Sequence, residues 1–185
     1  MGEFMRTVVL VGGYFNILHH GHVRHLEAAK GLGDCLVVHV HRSDCSLKRK
    51  GYSVLSDEDK VEVLKAIRWV DEVWLCNRNC DGTIVEALQK LRNEYPKETL
   101  ILAKGGDRTP RNMPRSEVET CKKLGVKIVY GVGGEEKVQS SSWLASKIRL
   151  EKVCVNCGRK LPENSRANRC PYCRAPLTTV IKRAK

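Results

Sequence analysis

The sequence predicts an α/β protein built on five parallel strands with helices on both faces, followed by a small four-cysteine module. Two observations predict the first part. Short apolar runs alternate with stretches of helical periodicity five times over, and most of these runs end in a glycine-rich, polar or basic cluster. The second part rests on Cys154-x2-Cys157 and Cys170-x2-Cys173. Sheets of this kind bind ligands beyond the carboxyl ends of their strands, near the switch in strand order. Clusters 12–22, 41–51, 104–108 and 131–142 are therefore expected to meet at one cleft.

The elements follow in order. Val8-Val9-Leu10-Val11 reads as a buried strand, and after the turn at Gly12-Gly13 the helical spacing of Val23, Leu26 and Ala29 begins at His19-His20-Gly21-His22. A helix start offers unpaired N–H groups and the positive end of its dipole, which suits phosphate, and glycines let the backbone come close to a ligand. Residues 35–40 (CLVVHV) form a second strand, and 43–51 (SDCSLKRKG) a polar, basic loop. Ser56 and Asp59 form a capping box for a helix marked by Val61, Leu64 and Ile67. Val73-Trp74-Leu75 is a third strand, and Ile84, Leu88 and Leu91 mark a helix that ends near Pro96. Leu100 to Ala103 is the fourth strand; Pro114 and Ser116 open a helix that Gly125 stops. Lys127 to Tyr130 is the fifth strand, and Ser140-Ser141-Ser142 begins a last helix through Arg149.

A hydrophobic fraction of 42% is globular, and no apolar run reaches the ~18 residues of a membrane span. Residues 1–30 carry no secretory h-region, and Met1 to Phe4 before Met5 read as an expression scar. The expected division is 5–150 for the α/β domain, 151–180 for the cysteine module and 181–185 for a basic tail. The formal charge of +12 is uneven: from Glu151 onward nine Lys/Arg face two Glu. Such a surface draws nucleic acid, nucleotides or other anions, or is a solvated basic face. Nine cysteines without a secretion signal fit a reducing cytoplasm, and Cys35, Cys45, Cys76, Cys80 and Cys121 read as reduced thiols.

Several separated blocks together resemble the adenylyl/cytidylyltransferases of the HIGH nucleotidyltransferase superfamily. The similarity is greatest to the heptose-phosphate adenylyltransferase and glycerol-phosphate cytidylyltransferase branches. Gly13-Tyr14-Phe15-Asn16-Ile17-Leu18-His19-His20-Gly21-His22 is similar to G-x-F-D-x-x-H-x-G-H. Residues 43–51 are similar to the S-D-x-S-x-K-x-x-K-G loop, Arg68 to Val73 to R-Y-V-D-E-V, and Lys104-Gly105-Gly106-Asp107 to K-G-G-D. Ser140-Ser141-Ser142 stands where S-S-T-x-I closes the domain. The fold implied is Rossmann-like. Asn16 departs from the family aspartate, and 134–139 (GEEKVQ) lacks an arginine found in cytidylyltransferases, which leaves CTP or ATP open.

The resemblance implies attack by an acceptor phosphate on the α-phosphorus of a nucleoside triphosphate, with loss of pyrophosphate. Positioning and charge neutralisation do the work. His19, His22 and Lys48 are the implied catalytic residues. Nucleotide contacts are implied for Gly12, Gly13, Tyr14, Phe15, Lys104, Gly105, Asp107, Ser140, Ser141 and Ser142, and acceptor contacts for Asn16, His41, Lys50 and Arg108. Mg²⁺ is expected with the triphosphate. The acceptor expected is a phosphorylated sugar or polyol.

The two C-x-x-C knuckles, twelve residues apart, read as a zinc ribbon in which four thiolates close the coordination sphere of a structural Zn²⁺. So small a segment needs metal as its staple. Its Arg166, Arg169, Arg174 and Lys182-Arg183 could bind RNA or DNA, or the ribbon could pack by the site or form a homo-oligomer (dimer) interface; a structural or interface role is favoured. The rival to the enzyme is a nucleic-acid-binding protein that acts through its ribbon and keeps a degenerate nucleotide-binding fold as scaffold.

Overall fold

The computed structural model describes residues 5–77, 81–106, 108–134, 144, 150–154, 156–157, 159, 169–176 and 180–183. Its first sheet has five parallel strands in the order β3-β2-β1-β4-β5: β1 Thr7–Gly13, β2 Cys35–Val40, β3 Glu72–Leu75, β4 Thr99–Ala103 and β5 Val126–Val129. β1 lies at the centre, and the chain winds one way into β2 and β3 and the other way into β4 and β5. The switch in strand order therefore falls between β1 and β4, with clusters 12–22 and 104–106 on its two sides.

Successive residues of the inner strands pack on opposite faces of the sheet. Val8, Leu10, Val37, Leu100 and Leu102 pack with Ala87, Leu88 and Leu91 of α4 (Val85–Glu94) and Cys121 of α5 (Arg115–Leu124). Val9, Val11, Leu36, Val38 and Ile101 pack with Leu26 and Ala29 of α1 (His20–Lys30) and Leu64 of α3 (Asp57–Lys65). Both faces of the sheet are thus covered, which is why β1 and β2 read as unbroken apolar runs rather than alternating ones.

The capping box forms: Ser56 Oγ accepts from Asp59 N–H, and Asp59 accepts from Ser56 N–H. The basic loop expected over 43–51 is instead a helix, α2 (Ser43–Lys50), closed by Gly51 in the left-handed conformation at φ 77°. Asp44 in its first turn, three basic residues in its last and a glycine after it are helix signals. Eight residues with few apolar positions are too short to show a period.

The block Arg68 to Val73 works at the amino end of β2 and β3. Asp71 Oδ2 accepts from Lys30 Nζ and from Leu36 N–H, each at 2.6 Å, and so ties α1 to the start of β2. Burial works against that carboxylate, yet these two bonds hold its pKa below the usual aspartate value. Glu72 accepts from Trp74 Nε1 and from the Tyr95 hydroxyl.

In the cysteine module β6 (Leu150–Val153) runs antiparallel to β7 (Val180–Arg183). No helix among the described residues is long and apolar enough to cross a membrane. Asp71→Ala is expected to lower unfolding free energy by about 1 kcal/mol, because the carboxylate is partly exposed and screened. Chemical denaturation checks this, and an unchanged midpoint contradicts it.

Candidate active site

β1 ends where side chains do not fit. A Cβ on Gly12 would lie 2.6 Å from Ile84 Cγ2, and one on Gly13 2.9 Å from the Phe15 ring. Phe15 itself is buried with φ 44°, a left-handed backbone that a bulky residue adopts only when its surroundings force it. Its ring centroid lies 5.1 Å from that of His22. His19 and His22 stack with centroids 3.8 Å apart at the first turn of α1. That turn has no side-chain cap and no acidic residue; His22 N–H donates to the His19 carbonyl at 2.9 Å, and the positive dipole end faces an anion without a competing carboxylate from the turn.

Burial, then the positive fields of His19, His25 and Lys50, hold the His22 pKa down at about 3, so its imidazole is neutral near pH 7. Its Nδ1 is buried without a partner among the described residues. The loop after β5 packs on the same helix: His25 Nδ1 pairs with the Val132 carbonyl at 2.8 Å, and a Cβ on Gly133 would strike the His25 backbone.

Asn16 is buried and occupied. Its Oδ1 accepts from Val54 N–H at 2.8 Å and from Ser53 Oγ at 3.2 Å, while Nδ2 donates to the Tyr52 carbonyl at 3.3 Å. An amide can both accept and donate here; a carboxylate would face the Tyr52 carbonyl with no donor. The departure from aspartate thus has a structural use, holding 52–55 against the turn after β1.

α2 presents Lys48, Arg49 and Lys50 on its exposed last turn. Lys50 Nζ lies 5.4 Å above the Tyr14 ring, whose centroid is 4.6 Å from that of His41. Arg49 donates to the Asp81 carbonyl. The opposite end of α2 is anchored by residues that sequence reasoning missed. Ser43 N–H and Oγ both bond to Asp57 Oδ1, and Arg42 pairs with Asp57 at 3.1 Å. Lys60, 1% exposed, donates to Ser43 Oγ at 3.0 Å and to the His41 carbonyl at 3.3 Å. A lysine one turn before Leu64 reads as surface, and only the tertiary packing shows that Lys60 and Leu64 form the buried face of α3.

Lys104 is also internal. Its Nζ donates to Glu117 Oε2 at 2.8 Å, while Glu117 Oε1 accepts from Ile84 N–H at 3.4 Å. The pair braces Ile84 against Gly12. Gly105 accepts from Arg108 N–H, and the Arg108 side chain reaches the Asn112 carbonyl. His41 is buried, its N–H bonded to the Gly13 carbonyl, and burial lowers its pKa to about 4. The turn residues, Tyr14, His41 and Lys50 thus gather at the carboxyl ends of β1 and β2, with Lys48 on the same turn of α2 as Lys50. Asp107, Ser140, Ser141 and Ser142 lie outside the described residues.

The ribbon cysteines converge. Sγ atoms of Cys154 and Cys173 lie 3.6 Å apart and those of Cys157 and Cys170 3.8 Å apart, all four within 4.8 Å of one another. Tetrahedral zinc with Zn–S of about 2.3 Å needs sulfurs about 3.8 Å apart, so this donor set fits zinc. Of the remaining cysteines, Cys35 and Cys121 are free, buried thiols, and Cys76 is buried with its Sγ accepting from Arg42 N–H at 3.2 Å. Cys45, expected to be reduced, is disulfide-bonded, with its partner outside the described residues.

Burial also holds His39 at about 3, so three histidines of this region stay neutral in the folded chain well below their ordinary 6.5. The unfolded chain binds those protons first. Their contribution to stability is complete above about pH 6.5 and is lost as pH falls toward 4, at no more than about 1.4 kcal/mol per pH unit for each histidine. The urea midpoint is expected to drop between about pH 7.5 and pH 5; a flat profile contradicts the neutral assignment.

Comparison with known proteins agrees with this geometry. The chain is 50% identical over 74 residues to FAD synthase of Pyrococcus horikoshii, and 37% identical over 111 residues to the bifunctional protein HldE of Syntrophotalea carbinolica. These matches take 40% and 58% of this chain, but only half of the first relative and 21% of the second. A lipopolysaccharide core biosynthesis protein from Thermoplasma volcanium superposes with a TM-score of 0.53 at 26% identity, over 68% of this chain and 95% of that one. The Cytidylyltransferase-like family model matches residues 10–130, and the chain belongs to that family.

Proposed function

We propose that the protein transfers a nucleotidyl group, CMP or AMP, from a nucleoside triphosphate to the phosphate of a small phosphorylated sugar or polyol. The observation that carries this reading is the stacked His19–His22 pair at an uncapped helix start, directly after a strand end that excludes side chains. An acceptor phosphate oxygen forms the new bond to the α-phosphorus as the bond to the β-phosphate oxygen breaks and pyrophosphate leaves. A phosphate monoester is already a nucleophile at neutral pH, so no base is needed.

A neutral His22 with a buried, unpartnered Nδ1 favours the Nε2–H tautomer, because a buried N–H without an acceptor is the rarer arrangement. Nε2–H then donates to a phosphate oxygen as charge moves to the leaving group. Lys48 and Lys50 on α2 neutralise the acceptor and donor phosphates, and Ser140, Ser141 and Ser142 cradle the β- and γ-phosphates. Mg²⁺, where bound, screens the triphosphate, with the phosphates themselves supplying most of its ligands.

FAD synthase among the relatives favours a second reading, in which the acceptor is a flavin phosphate. In either case Cys154, Cys157, Cys170 and Cys173 hold a structural zinc, and the compartment proposed is the cytoplasm, where thiolates keep their metal.

Pyrophosphate release, measured with four triphosphates against a panel of phosphorylated acceptors, tests the proposal; no release with any pair, together with salt-sensitive RNA binding, contradicts it. His22→Ala is expected to cut kcat by about 10²–10³ with the fold intact by circular dichroism, and near-normal turnover would remove His22 from the chemistry. Chelation of zinc is expected to melt the ribbon and leave the α/β domain folded. Amide signals followed by NMR during chelation check this: loss across the whole chain would show that the two parts share one stability.

A further inference from the structure

Lys104 and Glu117 are 8% and 4% exposed, and they pair at 2.8 Å inside the protein. A buried ion pair adds little net stability over an apolar pair of the same size, so its use lies in the geometry it fixes. Two routes lead from this pair to the turn that carries the histidines.

The first route runs through α4. Glu117, in the first turn of α5, holds Lys104 with one carboxylate oxygen and accepts from Ile84 N–H with the other, at 3.4 Å. Ile84 stands just before α4, and its carbonyl receives Leu88 N–H at 2.9 Å. An N–H at that position has no acceptor in its own helix, so a side chain from another element supplies one. Ile84 Cγ2 lies 2.6 Å from where a Cβ on Gly12 would be. The place of Ile84 therefore sets the path of the chain out of β1.

The second route runs through the main chain of Lys104. At the end of β4 its N–H donates to the Val129 carbonyl at 2.8 Å, and its carbonyl accepts from Val132 N–H at 3.0 Å. Val132 is buried in the cluster that includes Phe15 and Leu26, and its carbonyl pairs with His25 Nδ1 of α1 at 2.8 Å. The pair thus reaches both sides of the His19–His22 stack, the strand end before it and the helix that carries it.

We propose that Lys104 and Glu117 are positioning residues for nucleotidyl transfer: without touching substrate, they set where His19 and His22 stand relative to the backbone at Gly12. The assignment rests on the transferase reading, and it gives Lys104 an internal role in place of the nucleotide contact implied by its motif. A misplacement of about 1 Å, caused far from the reacting atoms, can cost about 10²-fold in rate.

The test compares the full chain with two double variants, neither of which leaves a buried charge without its partner. Lys104→Met with Glu117→Gln keeps an amide oxygen for Ile84 N–H, and Lys104→Met with Glu117→Leu removes it. Turnover of ATP and CTP against glycerol phosphate, sugar phosphates, phosphoethanolamine and flavin mononucleotide gives kcat and both KM values. The ring-proton NMR signals of His19 and His22 report their geometry without turnover. The Leu variant is expected to lose at least about tenfold in kcat with both KM values within about twofold, and the Gln variant to recover most of that loss. The histidine signals shift in the Leu variant and keep their places in the Gln variant. Equal kcat in the two variants, or a rise of about tenfold in the nucleotide KM of either, overturns the positioning assignment and leaves the transferase reading standing. If the parent chain turns over no pair, the transferase reading falls and the ring signals decide. A shift confined to the Leu variant then supports the positioning role, and matching signals in both variants overturn it. Should the Leu variant not fold, Ile84→Leu replaces it, since this change keeps the side-chain volume and removes the Cγ2 beside Gly12. A similar loss of kcat is expected there, and unchanged kcat and ring signals overturn the assignment.

Discussion

Ile84 and Phe15 crowd the end of the central strand so closely that only glycine fits at positions 12 and 13. This constraint sets the path of everything after it. The chain must leave the sheet without side chains, turn through a left-handed Phe15, and bring the backbone of α1 in beneath two stacked imidazoles. Ile84 in turn is braced through Glu117 by the buried Lys104, so a contact on one face of the sheet governs a turn that serves the other.

Buried charge has the same supporting role in α2. Lys60 loses most of its hydration, and burial pulls its pKa down against the opposing field of Asp57. In exchange, its ammonium joins the His41 carbonyl and Ser43, on the turn from β2 into α2, to Asp57 at the start of α3. Such an arrangement contributes little net stability, because desolvation nearly offsets attraction, but it fixes one geometry among many. What it fixes is the direction in which α2 carries its exposed basic end.

The sheet and its strand ends were legible in the sequence because both depend on local signals: apolar runs, turn glycines and the Ser56–Asp59 cap. Two residues implied as ligand contacts have internal partners, Lys104 in Glu117 and Asn16 in 52–55, and Asp71 of the 68–73 block, which carries no implied contact, fastens α1 to β2. A one-dimensional pattern does not distinguish a polar residue that meets a ligand from one that meets another part of the chain, since both need the same chemistry at the same place. Lys60 was illegible for a related reason: its significance lies in what surrounds it, and Ser43 and the His41 carbonyl come from a segment before α3 that its own helical period does not reveal.

The cysteine ribbon has a consequence of another kind. Leu150 pairs with Arg183 across an antiparallel ladder, so the chain arrives at the metal module and departs from it side by side. A module whose two strands close on each other satisfies its backbone with its own ladder, and draws no hydrogen bond of that ladder from the strands of the larger sheet.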